Sequence, residues 1–176
     1  KRSCRAVFQF ERRLGAELQT LHEELRSGSY QPRPYHHFWV YEPKPRSISA
    51  PAFRDRVVQH ALYRVVRPLA DRRFIAQSFA CRPGLGTHAA ADYVQHALRS
   101  VPNDSYYLQL DIRRYYYSIR HATLREQIGR IIKDERAIEL WMQFAQTGLG
   151  EDGVGLPIGC LMSQLNGLIH LNPLDH

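Results

Sequence analysis

The chain has 176 residues, of which 44% are hydrophobic and 23% charged, with 24 Lys+Arg against 17 Asp+Glu for a formal net charge of +7. That is enough for one domain with a core, and it excludes a disordered chain. No apolar run is long enough to cross a bilayer, no signal peptide opens the chain, and Cys4, Cys81 and Cys160 are too few and too widely spaced for a disulfide scaffold or a zinc site, which points to a reducing, cytoplasmic setting. The chain begins at Lys1 and stops within the apolar-patterned "LNPLDH", as a piece of a longer protein would.

In chain order, residues 8–27 are predicted to form one amphipathic helix, with Leu14, Leu18, Leu21 and Leu25 at helical spacing and Gly28 as its stop. "SGSYQPRPY" reads as extended, and "HHFWVYEPKPRSISAP" as two short strands around a Pro-Lys-Pro turn. A helix is predicted over 53–69, its apolar stripe formed by Val58, Ala61, Leu62, Val65, Val66 and Leu69. "CRPGLG" is a loop, after which Thr87 is a suitable N-cap for a helix to about Leu98. "DSYYLQLDI" is the clearest strand, with Leu108, Leu110 and Ile112 on one face and Tyr107, Gln109 and Asp111 on the other. Helices follow at about 121–132 and, capped by Asp134, at about 135–146. A Gly-rich loop, "TGLGEDGVGLPIG", leads to a last helix, "LMSQLNGLIHL", which Asn172-Pro173 is expected to bend or end. Helix and strand mix without β-α-β alternation, so the expected class is α+β.

Charge is concentrated. Twenty-one of the 24 cations are Arg, and residues 44–82 carry nine Lys/Arg against Asp55 and Asp71, a local +7. Such clustering is the electrostatic footprint of a polyanion, and the Arg fork suits phosphate oxygens. Arg56, His60, Tyr63 and Arg67 share one face of their helix, which could lie along a phosphate backbone or simply face water. Asp111 ends its strand beside Arg113 and Arg114. It is either paired with them or a ligand for a hard cation such as Mg²⁺, which takes one or two carboxylates plus substrate phosphate oxygens. The nine histidines are scattered, with no pairing that suggests zinc.

Four segments together carry a family resemblance. "LQLDIRRYYYSI" resembles motif A of reverse transcriptases and "GLPIGCLMSQLNGLIHLNPLD" their motif B. "PKPRSISAPAFRDRVVQHAL" resembles their fingers motif, and "FACRPGLGTHAA" the segment that follows it in bacterial members. All four occur in the family's order, over roughly Leu25 to Asp175, and the wording is closest to retron-type and diversity-generating-retroelement enzymes. The resemblance implies a right-hand polymerase, with fingers at 1–104, a palm strand with motif A at 105–119, fingers helices and the motif B loop at 120–158, and an incomplete palm helix at 159–176. It implies RNA-directed DNA synthesis on an RNA template and a DNA or RNA primer, from deoxynucleoside triphosphates, with two Mg²⁺ ions (or Mn²⁺). A non-catalytic RNA-binding relative and a group II intron maturase are the alternatives.

Carried over residue by residue, the resemblance makes Asp111 a catalytic, metal-binding carboxylate and the Ile112 carbonyl a second ligand. It makes Lys44 and Arg46 triphosphate clamps, with Arg113 and Arg114 near the same triphosphate. Tyr116, five positions after Asp111, becomes the steric gate against a 2′-hydroxyl, while Tyr115 and Tyr117 pack in the core. Pro157, Ile158 and Gly159 would lie against the incoming nucleotide, and Arg56, Arg67, Ser163 and Gln164 along template or primer. The charge-protected strand edge is the plain reading of Lys44-x-Arg46, and an ordinary helix-entry loop that of 155–164. Two departures stand out. Ile158 occupies the place where many members have Gln, and together with Ser163-Gln164 it points away from the maturase pattern of Gln-Gly and Ser-Pro. The family's Tyr-x-Asp-Asp motif C is absent: the adjacent acid pairs are Glu23-Glu24, Asp134-Glu135 and Glu151-Asp152. The remaining carboxylates and the thumb are expected beyond His176, and the chain alone is expected not to polymerise, since one carboxylate cannot assemble two metals.

Overall fold

The computed structural model describes residues 5–41, 43–146 and 153–176. The elements run α1 (Arg5–Arg12), α2 (Leu14–Ser27), β1 (His36–Val40), β2 (Arg46–Ala50), α3 (Phe53–Asp71), α4 (Thr87–Leu98), α5 (Tyr115–Ser118), α6 (His121–Ile131), α7 (Glu135–Gln146) and α8 (Leu161–Asp175). Helices dominate, and among the described residues the one sheet is the antiparallel β1–β2 hairpin, in the register His36↔Ala50 to Val40↔Arg46. This mixture is compatible with the expected α+β class.

The predicted first helix is two helices. Arg13 leaves helical geometry (φ −121°, ψ 27°), and the break lets each half bury a different face. Phe10 of α1 meets Phe53 of α3 edge-on at 5.2 Å, whereas α2 buries Leu21 and leaves Leu14 and Leu18 exposed. Gly28 ends α2 as expected, at φ 77°, a conformation that costs other residues a Cβ clash.

Helix α3 runs two residues past its predicted end, with Pro68 in its last turn, and it is rotated from its predicted stripe. Asp55, Val58, Gln59, Val66 and Ala70 are buried, while Ala61, Val65 and Leu69 are exposed. The buried carboxylate is satisfied rather than stranded: the Tyr30 hydroxyl donates to it at 2.6 Å and the Arg33 N–H at 2.9 Å. Two polar groups on this helix, Asp55 and Gln59, thus serve the core, which periodicity of apolar residues could not signal.

Helices α6, α7 and α8 pack with α3 around Trp141, Phe144, Leu124, Ile128, Met162 and Leu156. Asp134 caps α7 as expected, its carboxylate accepting from the Ala137 N–H at 2.9 Å. Trp141 Nε1 donates to Asn166 at 2.7 Å, so the large ring is buried without an orphaned donor. Thr87 is not a cap: Gly86 holds that position, and α4 buries no residue. Helix α8 continues through Pro173 to Asp175, where the missing N–H costs one hydrogen bond near the helix end.

The largest correction concerns 105–112. The alternating segment forms no strand, and Tyr106, Tyr107, Leu108 and Leu110 are at least 80% exposed. A strand is completed by a neighbour's ladder of hydrogen bonds, and no strand lies beside this segment among the described residues.

One titration follows from the packing. Burial against Tyr115 lowers the pKa of His170 on α8, whose Nδ1 lies 3.0 Å from Gln127 Oε1. A base depressed in the folded state binds fewer protons there than in the unfolded chain. Stability is therefore present above the ordinary His value, about 6.5, and is lost as pH falls below it. Thermal melts of wild type and His170→Gln between pH 8 and 5 should show a shallower acid limb in the variant; identical limbs would remove His170 as a contributor.

Candidate nucleotide and nucleic-acid site

The site is organised by the loop 153–160, which is fastened on both sides. On one side it is laced to the chain that follows Asp111. The Leu156 N–H donates to the Tyr116 carbonyl at 2.8 Å, the Gly155 N–H to the Ile119 carbonyl at 2.8 Å, and the His121 N–H to the Gly153 carbonyl at 2.9 Å. Arg120 and Val154 form an antiparallel bridge between these bonds. The His121 ring reinforces them, its Nε2 lying 2.6 Å from the Gly155 carbonyl oxygen, a contact that places the ring proton on Nε2.

On the other side the loop is tied to the hairpin. The Ser49 N–H donates to the Ile158 carbonyl at 2.7 Å. Gly159, at φ 102°, approaches β2 so closely that a Cβ would stand 2.6 Å from Ile48 Cγ2. Beneath it, Cys160 Sγ meets Gln59 Oε1 at 3.5 Å, and Gln59 Nε2 donates to the Tyr35 hydroxyl at 2.9 Å. This polar chain joins the loop, α3 and the segment before β1. Sequence reading missed Gln59, although its place four residues after Asp55 sets both on one helix face.

The predicted site residues fall into three groups. Lys44, in the hairpin turn, and Arg46, the first residue of β2, are exposed. Arg113, Arg114, Asp111 and Ile112 are exposed too, in the segment that leads into α5. Arg114 sits in the left-handed region (φ 53°, ψ 38°), uncommon for a residue with a Cβ, and its guanidinium lies 5.3 Å from the Tyr117 ring centre. No ion pair among the described residues engages Asp111, so the expected alternative of pairing with Arg113 or Arg114 is not realised.

Around the loop, Pro157 is fully buried, Ile158 half-buried and Gly159 exposed. Tyr115, Tyr116 and Tyr117 are all half-buried, and Tyr115 and Tyr116 pack against the core. Burial raises the pKa of Tyr116, and more strongly that of Tyr115, whose hydroxyl donates to the Gly167 carbonyl at 2.6 Å.

In the third group the environments diverge. Gln164 is exposed, but Ser163 is only 2% exposed, with its Oγ unpartnered among the described residues. Arg56 is exposed, its guanidinium 5.1 Å from the Phe53 ring centre. Arg67 is instead held by Asp71 at 3.1 Å. The Arg56–Arg67 face is thus only partly available to a phosphate backbone. The expectations for Thr147–Asp152 lie outside the described residues.

A hard cation asks for oxygen donors and neutralisation. The exposed Asp111, with the backbone of the exposed Ile112 beside it, suits one divalent cation that would draw its other ligands from phosphate and water. No group of three or more His, Cys, Asp or Glu residues that could hold a metal occurs among the described residues, so they do not by themselves form a multi-carboxylate two-metal centre. No helix among the described residues is long and apolar enough to cross a membrane.

Comparison with known proteins shows the family. The family model for "Reverse transcriptase (RNA-dependent DNA polymerase)" matches residues 41–175. "Protein YkfC" of Escherichia coli is 32% identical over 175 residues, 93% of this chain and 45% of that protein. "Group II intron-encoded protein LtrA" of Lactococcus lactis is 25% identical over 168 residues, 90% of this chain and 28% of that protein. An "Uncharacterized 91 kDa protein in cob intron" of Schizosaccharomyces pombe is 30% identical over 138 residues, 75% of this chain and 16% of that protein. The chain spans less than half the length of these relatives. A family match over three quarters of the chain, covering β2, the Asp111 segment and the loop that fastens to both, places it in the reverse transcriptase family.

Proposed function

We propose that this chain is the fingers and first part of the palm of an RNA-directed DNA polymerase, which extends a primer 3′-hydroxyl on an RNA template from deoxynucleoside triphosphates. The observation that carries the reading is the double fastening of loop 153–160, to the backbone of Tyr116 and Ile119 on one side and to β2 behind Arg46 on the other. It ties the elements that would hold sugar, base pair and triphosphate into one frame, and positioning is most of what phosphoryl transfer asks of a protein.

In this reading Arg46 and Lys44 neutralise the triphosphate, as cationic clamps do where charge develops. Arg113 and Arg114 lie near the same phosphates. Asp111 and the Ile112 carbonyl would hold Mg²⁺, which supplies charge neutralisation at the transferring phosphate; Mn²⁺ could replace it. Two-metal transfer would need carboxylates in addition to Asp111. Arg56 and Gln164, both exposed, remain suited to template or primer; Ser163 would act there only after a rearrangement that uncovers it. The setting is the cytoplasm.

Tyr116 selects the sugar. In the full-length protein, Tyr116→Ala should relax discrimination against ribonucleotides by about 10-fold or more, since removing a bulky wall admits the extra hydroxyl. Competitive incorporation of deoxy- and ribonucleotides on an RNA template measures it; unchanged discrimination would remove the gate.

A second reading, support of intron splicing, is favoured by the intron-encoded relatives. The retron-type and diversity-generating assignment rests on motif wording, including Ile158 where many members have Gln. Splicing of a cognate intron RNA by the full-length protein, measured beside primer extension, separates the two roles.

A further inference from the structure

The pair Tyr115-Tyr116 does not stand free beside the site; it leans on a helix at a residue without a side chain. Gly167 of α8 is buried, and a Cβ there would stand 3.3 Å from Tyr115 Cε1 and 3.4 Å from both Cε1 and the hydroxyl oxygen of Tyr116. The Tyr115 hydroxyl closes the contact by donating to the Gly167 carbonyl oxygen at 2.6 Å. The two rings lie 5.4 Å apart at 57°, so each limits the other's rotation. His170, one turn along α8, backs Tyr115 at 6.2 Å.

The backbone of the pair is equally constrained. Arg114, in its left-handed conformation, turns the chain into α5. The Tyr116 carbonyl accepts from the Leu156 N–H at 2.8 Å, and the Tyr115 carbonyl from the Ser118 hydroxyl at 2.8 Å. With the main chain held, pressure on the rings is relieved by side-chain rotation away from α8. Tyr116 is half-buried against that helix, and the part of it left uncovered is the part available to a nucleotide.

We propose that Gly167 and Tyr115 are positioning residues that set the depth of the Tyr116 ring and thereby the enzyme's choice of sugar. This rests on the reading of Tyr116 as the gate. The absence of a side chain at 167 lets the ring withdraw toward α8, and the Tyr115 hydrogen bond keeps it there. Glycine is a poor helix former, so its presence inside α8 agrees with a steric demand from the two rings.

The test is a double-mutant cycle in the full-length protein, reading kcat/KM for matched deoxy- and ribonucleoside triphosphates on an RNA template. Gly167→Ala should lower deoxynucleotide use, and ribonucleotide use further, raising the preference by about threefold or more. In a Tyr116→Ala background the same substitution should leave the preference unchanged. Tyr115→Phe, which keeps the ring and removes only the hydroxyl, should release the pair from α8 and so raise the preference too, in the same direction as Gly167→Ala.

Equal losses for both nucleotide classes with Gly167→Ala, or the same change persisting without the Tyr116 ring, would reduce Gly167 to an ordinary packing residue and overturn the proposal. If Gly167→Ala fails to fold, a Tyr115→Phe variant with wild-type melting and unchanged preference overturns it equally. Should Tyr116→Ala alone leave the preference unchanged, the gate itself is wrong, and this inference falls with it. A relaxed Tyr116→Ala beside an indifferent Gly167→Ala sinks only the inference.

Discussion

Asp111→Asn in the full-length protein is expected to reduce primer extension by about 10³-fold or more, with little change in melting temperature. The side chain is exposed and joins no ion pair among the described residues, so the nearly isosteric amide removes charge without opening a cavity or orphaning a partner. Surface substitutions of that kind usually move stability by no more than about 0.5 kcal/mol. The loss would therefore be chemical: a carboxylate that neutralises a hard cation beside phosphate oxygens cannot be replaced by a neutral amide. Single-turnover extension over a range of Mg²⁺ concentrations, beside a thermal melt, measures both parts. Extension at the wild-type rate would dismiss Asp111 as a metal ligand, and a large fall in melting temperature would mean a structural role instead.

Gly159→Ala is expected to have the next largest effect, through geometry rather than charge. At φ 102° an L-residue is strained whatever the space around it, and here the added Cβ would stand 2.6 Å from Ile48 Cγ2. Ile is branched at Cβ and has few rotamers to escape into. Relief must come from separating β2 from the loop, which breaks the Ser49–Ile158 hydrogen bond and shifts the hairpin that carries Lys44 and Arg46. Strain and overpacking together cost about 2–4 kcal/mol. A clamp moved by about 1 Å lowers nucleotide use by about 10²-fold. Deoxynucleotide KM and kcat, measured at a temperature where the variant is folded, should show the loss. A variant with wild-type kinetics would mean that the hairpin does not depend on this contact. Ile48→Ala, by making room for the methyl group, should restore part of the activity.

The legible parts of the fold are those encoded locally. The ends of α7, the stop at Gly28 and the hairpin around Pro43-Lys44-Pro45 follow from capping, turn chemistry and strand composition, and each stands as expected. What failed depended on neighbours. Apolar spacing announced that residues 53–69 are helical, yet which stripe is buried was decided by Tyr30 and Arg33 meeting Asp55 and by Tyr35 and Cys160 meeting Gln59. Likewise the alternation of 105–112 is a pattern for a strand, and a pattern does not supply the adjoining ladder.

The candidate site divides the same way. Motif wording singled out Asp111, Arg46, Tyr116 and the 155–164 stretch, because those residue types suit the proposed chemistry of phosphate, sugar and cation. It gave no hint that Ser163 is buried, that Arg67 is occupied by Asp71, or that Gly167 underlies both tyrosine rings. Nor did it signal the bonds of His121 and Gly155 that fasten the loop.

By itself, then, the sequence determined the family, the helical segments and the inventory of reactive and cationic groups, since composition, caps and short motifs act over a few residues. Only the tertiary structure decided which helix faces are inside, how loop 153–160 is held between β2 and the Asp111 segment, and what the tyrosines lean on. Those are contacts between residues tens of positions apart, and their geometry is settled by packing and by the pairing of buried polar groups.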